Sequence, residues 1–141
     1  MCMSAMAPRR GFTLTETMFT VIILGIMATA VVLPYMRTLE RGKWSAARDV
    51  LESIYAGERV FEVANGNFCA VNPGPCTWPD IYVDDPTNLI VGVTFNVTTP
   101  GGNMRARATR GGTGPCVGRL LELDETRAIT AASTWPEDGA C

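Results

Sequence analysis

The stretch that most restricts this chain runs from Thr17 to Met36 and carries no formal charge. About twenty apolar residues wound as a helix are enough to cross the ~30 Å hydrocarbon core of a bilayer. Met18-Phe19 and Val21-Ile22-Ile23-Leu24 form its densest part. In lipid the backbone must satisfy its own hydrogen bonds, so a helix is expected here despite the many β-branched residues. Arg9 and Arg10 precede the segment and are expected to stay cytoplasmic while the rest is exported. One acidic residue, Glu16, stands at its lip. A carboxylate there is costly unless it is paired or held at the interface, and an ordinary anchor helix has no need of one.

Residues 1–11 read as a leader. They lack the long apolar core and small-residue cleavage site of an ordinary secretory signal, so a cut before the apolar segment keeps that segment in the mature protein. Gly11-Phe12-Thr13-Leu14-Thr15-Glu16, followed by an apolar helix, resembles the prepilin signature of type IV pilins and type II secretion pseudopilins. The resemblance implies cleavage after Gly11 by a prepilin peptidase and N-methylation of Phe12. Glu16 falls fifth in the mature chain, the family's acidic position. In that family this carboxylate meets the amino terminus of a neighbouring subunit, here that of Phe12. Gly25 matches the family's helix glycine. Pro34 corresponds to its helix-bending proline one residue late, and lacking an amide hydrogen it is expected to kink the helix. Thr15 stands where the family usually has an apolar residue. The resemblance is specific over residues 9–36 and general beyond them.

At 141 residues the chain has room for one domain plus the anchor. Apolar residues make up 47% of it, but the anchor takes a large share, and the modest core that remains needs reinforcement. Five cysteines are present. Cys2 would be discarded with the leader, leaving Cys69, Cys76, Cys116 and Cys141. An even number in a small exported domain reads as two disulfides. Three pairings are possible, and local closure favours Cys69 with Cys76 and Cys116 with Cys141. Their spacing suits neither a zinc knuckle nor a zinc ribbon, and no metal or other cofactor is expected. There is no histidine, which removes histidine catalysis and ligation. With Arg9 and Arg10 gone, ten basic residues face fourteen acidic ones, a net charge near −4 with no nucleic-acid footprint.

The organisation expected is a leader (1–11), a transmembrane or filament-core helix (12–34), an amphipathic helix (35–65) and a disulfide-bonded antiparallel β domain (66–141). Leu39, Ala46, Ala47, Val50, Leu51, Ile54, Phe61 and Ala64 recur at helical steps and form the apolar stripe. Asn65-Gly66-Asn67 supplies the stop. Residues 66–87 read as a loop in which Trp78 and Tyr82 pack the chain down. Four strands follow, over Leu89–Thr98, Met104–Thr109, Arg119–Leu123 and Arg127–Ala131, with Trp135 covering the sheet edge. In the second strand Met104, Ala106 and Ala108 are expected to face inward. Arg105, Arg107 and Arg110 read as a solvated basic face, with Arg119 and Arg127 nearby. Asp80, Asp84 and Asp85 read as turn formers rather than calcium ligands. The fold class is therefore α+β, one long helix packed on a four-stranded antiparallel sheet, the layout the resemblance also implies.

No catalytic constellation assembles, so an enzyme is not expected. By resemblance, the expectation is a structural subunit of a type IV pilus or related filament, polymerising with itself through the apolar helix. The precursor would sit in the inner membrane as a single-pass protein and the assembled filament in the periplasm or outside the cell. A prepilin peptidase, an assembly ATPase and an inner-membrane platform protein are the implied partners. A type II secretion pseudopilin or a minor priming pilin is the alternative within this class. A membrane-anchored binding protein that does not polymerise is the alternative outside it.

Overall fold

The computed structural model describes residues 11–141; Cys2, Arg9, Arg10 and the rest of the leader before Gly11 lie outside the described residues. The chain divides into two units, Met1–Tyr35 and Met36–Cys141. One helix, α1 (Leu14–Asn65), contains Pro34 and runs through the end of the first unit and the start of the second.

In the first unit Thr13 closes the start of α1. Its carbonyl accepts from the Glu16 and Thr17 amides at 3.1 and 3.2 Å, and its hydroxyl oxygen lies 3.4 Å from the Glu16 amide. From Gly11 to Tyr35 every side chain whose burial is described is exposed. The threonines inside the run are self-sufficient: Thr17, Thr20 and Thr29 donate to the carbonyls of Leu14, Thr17 and Ile26 at 2.7–2.8 Å. A hydroxyl bonded back to its own helix needs no water, which suits an apolar surround.

The second unit begins with the solvated half of α1. Glu40, Trp44, Ala47, Leu51, Ile54, Gly57 and Glu58 form its buried stripe, at steps of three and four. Leu39 and Ala64, expected in the stripe, are exposed. The stripe instead centres on the line from Glu40 through Leu51 to Glu58, and Leu39 falls off it. Gly66, in the left-handed conformation (φ 79°), ends the helix, its amide donating to the Glu62 carbonyl at 2.7 Å.

The sheet has three strands, β1 (Val93–Thr98), β2 (Arg105–Arg110) and β3 (Leu120–Asp124), antiparallel in the order β1-β2-β3. Val93 pairs with Arg110 and Thr98 with Arg105; Arg105 pairs with Asp124 and Thr109 with Leu120. Val93, Phe95, Val97, Met104, Ala106, Ala108, Leu121 and Leu123 are buried with Leu51 and Ile54 of the helix and with Val71, Ile81 and Trp135. Each fully buried Leu, Ile or Phe contributes about 1.5–3 kcal/mol of hydrophobic stabilisation.

Three expectations are corrected. The first strand starts at Val93 rather than Leu89, because Gly92 has φ 76° and the Val93 amide turns back to the Ile90 carbonyl. The fourth strand, Arg127–Ala131, does not form. Arg127 has φ 67°, the Ser133 amide closes a turn onto Thr130, and only an isolated bridge joins Ile129 to Leu123. A left-handed residue at one end and a turn at the other leave too few extended residues for a ladder. The segment still covers the edge of β3: Leu120 and Glu122 carbonyls accept the Thr134, Trp135 and Thr130 amides, and Asp124 donates to Ala128. The region 66–87 is more ordered than a loop, with 3₁₀ turns at Trp78–Ile81 and, just beyond, at Pro86–Asn88. Trp78 packs into the core as expected, but Tyr82 caps the first turn at φ 59° and is exposed.

Disulfides join Cys69 to Cys76 and Cys116 to Cys141, the shorter-loop pairing. The second ties the β2–β3 connection to the carboxyl terminus. Gly139, at φ 68°, lies against the Arg37 carbonyl and the Arg41 amide, where a Cβ would meet both at 2.5 and 3.0 Å.

Candidate functional site

The amino-terminal site is built on a helix end. Gly11 and Phe12 precede the first turn; Phe12 is 76% exposed, and nothing lies within 4 Å of a Cβ built on Gly11. Glu16 lies in the first turn of α1, where the positive end of the helix dipole favours a carboxylate. It is exposed, and no ion pair to it occurs among the described residues. Gly25 faces open space, and Pro34 sits within the helix. Phe12, Phe19, Ile22, Leu24, Ile26 and Val31 are each more than half exposed. By length and composition the helix is apolar enough to cross a membrane.

The globular unit holds four buried charged side chains, Glu40, Glu58, Arg110 and Glu122. Arg110 was expected among the solvated arginines and is instead 2% exposed. It continues the inward face of Met104, Ala106 and Ala108 by one more step of two. Its Nε and Nη2 donate to the two Glu40 carboxylate oxygens at 3.0 and 2.9 Å. Nη1 donates to the Gly92 and Gly111 carbonyls, and Nη2 also reaches the Thr113 carbonyl at 2.8 Å. Lys43 stands 3.5 Å from the same carboxylate. Arg110 chiefly, by hydrogen bonding, holds the Glu40 carboxyl below its ordinary range, against the opposing effect of burial. One fork thus joins the helix, the turn before β1 and the connection after β2.

Glu122 is buried beneath Arg107, which donates from Nε at 3.0 Å and Nη2 at 2.6 Å. Thr130 adds a hydroxyl at 3.0 Å, and Arg105 stands at 3.6 Å. Of the expected basic face, Arg105 and Arg107 are therefore partly exposed but charge-compensated. Arg127 pairs with Glu52, which also meets Arg48 at 3.4 Å. Asp80 and Asp85 accept from Thr77 and Thr87, which holds both carboxyls low and closes their turns. Among the described residues no group of three potential metal ligands occurs.

Sequence reasoning missed Glu40 and Glu58 as interior groups. Both sit on the helical stripe, four residues before Trp44 and four after Ile54, so their phase was the available signal.

A family model described as the prokaryotic N-terminal methylation motif matches residues 6–32. The chain carries this motif, the signature of type IV pilins and pseudopilins. No curated protein and no solved structure matches the chain.

Proposed function

We propose that the chain is a structural subunit of a type IV pilus or pilus-like filament, and that it polymerises through the apolar helix after removal of residues 1–11. The observation that carries this reading is Glu16, a carboxylate without an ion-pair partner among the described residues, in the first turn of an exposed apolar helix. A carboxylate in an apolar surround is costly unless it is paired, and a partner cation offsets that cost. Cleavage after Gly11 creates such a cation at Phe12, and a neighbouring copy would deliver it to Glu16. An assembly ATPase, an inner-membrane platform protein and a prepilin peptidase are the partners this route requires. The precursor is a single-pass inner-membrane protein, and the assembled filament lies beyond that membrane.

The test has two arms. Mass measurement of the mature protein should show loss of residues 1–11, one methyl group on Phe12 and four cysteines oxidised. Replacement Glu16→Ala should abolish surface filaments while leaving the processed protein in the membrane. Filaments persisting at wild-type abundance in that variant would refute polymerisation by charge pairing.

A further inference from the structure

Of the four buried charged side chains, three have a counter-charge: Glu40 and Arg110 have each other, and Glu122 has Arg107 and Arg105. Glu58 has none among the described residues. It is fully buried, and its Oε2 accepts one bond, from the Cys69 amide at 3.0 Å. Its Oε1 is buried without a hydrogen-bond partner. An isolated carboxylate in such a place costs several kcal/mol, whereas the neutral acid costs far less.

The neighbouring charges are all engaged elsewhere or exposed. On its own helix Arg59 turns away to Tyr55, Glu62 and the Glu125 carbonyl. On the packed segment Asp80 and Asp85 are bound by Thr77 and Thr87, and Asp84 is exposed. Across the sheet Arg105, Arg107 and Arg110 belong to Glu122 and Glu40. Burial is accordingly the main influence on Glu58 and pushes its carboxyl up, with the Cys69 amide opposing it.

The bond from Cys69 fixes the point where the chain, having left α1 at Asn65, enters the first disulfide. One residue before Glu58, Gly57 lies hard against the Ile81 carbonyl and Val83. Glu58 and Gly57 together dock both ends of the segment 69–83 on the helix. We propose that Glu58 is a proton-operated latch: protonated, it holds this segment down, and loss of its proton loosens the segment from α1. The chain has no histidine, and Cys69, Cys76, Cys116 and Cys141 are all in disulfides. A carboxyl whose folded value is raised stabilises the closed state most below its unfolded value, and that contribution is lost as pH rises through the folded value.

The experiment is hydrogen exchange across residues 66–83 of the full chain in detergent micelles, without reductant, from pH 5 to 9, corrected for intrinsic exchange. Wild type should lose protection with rising pH, by up to about tenfold per pH unit, the limit for one linked proton. Glu58→Gln keeps an acceptor for Cys69 but cannot titrate, and should be flat; Glu58→Met, a second non-titrating variant, should be flat too. A flat wild-type profile, or the same slope in any variant that folds, overturns the proposal. Filament formation is not read in this assay, so it stands or falls apart from the polymer model.

Discussion

Breaking the Arg110 fork should destabilise the globular unit more than removing its acid partner. Arg110→Met leaves the Glu40 carboxylate dry except for Lys43, and takes donors from the Gly111 and Thr113 carbonyls. Removing one partner of a buried pair costs about 3–5 kcal/mol, and the lost carbonyl bonds add about 1 more. Glu40→Gln keeps an oxygen for Arg110, which also retains its carbonyl acceptors, so about 2–3 kcal/mol is expected. The double variant Glu40→Gln/Arg110→Met removes both charges and should fall about 2–3 kcal/mol short of the sum of these two single replacements. Urea unfolding of the full chain in detergent, followed by the fluorescence of Trp44, Trp78 and Trp135, reads all three. The pair also has an acid signature. Because Arg110 holds Glu40 low, its contribution is complete above the unfolded carboxyl value and is lost as pH falls through the folded one. That part of the acid dependence should vanish in Arg110→Met. Additivity within about 0.5 kcal/mol would refute the idea that the two side chains act as one unit.

Two further outcomes follow from backbone contacts and cross-links. Gly57→Ala places a methyl group into the Ile81 carbonyl and 2.6 Å from Val83 Cγ2, so it should cost about 1–3 kcal/mol in the same urea assay. Removing the Cys116–Cys141 bridge, which closes a separation of 25 residues, should cost about 3.5 kcal/mol against about 2.4 for Cys69–Cys76, at 7. Comparing the paired Cys→Ser variants by thermal unfolding checks that order.

The helix was legible from end to end because its signals are local: an uncharged run, then an amphipathic period, then Asn-Gly. The place of Glu16 in the first turn was legible for the same reason. The interior ions were not, since composition places arginine and glutamate outside, and only their phase argues otherwise. Arg110 shows how small that signal is: one residue past Ala108-Thr109, period two already points inward. The absent fourth strand has a different cause. Residues 127–131 carry strand-like composition, but the left-handed Arg127 and the Thr130–Ser133 turn are settled by contacts with Leu120 and Glu122 that no local window contains.

The rims of the small sheet are both occupied. On one side Val71 exchanges amide bonds with Val97 and Asn72 donates to the Phe95 carbonyl; on the other the tail from Ala128 to Trp135 takes up β3. Adding a strand from another molecule is thereby blocked at the positions where sheet proteins most readily stick to one another. In a chain that also carries a long exposed apolar helix, the covered rims of the sheet leave that helix as the broad unpaired surface.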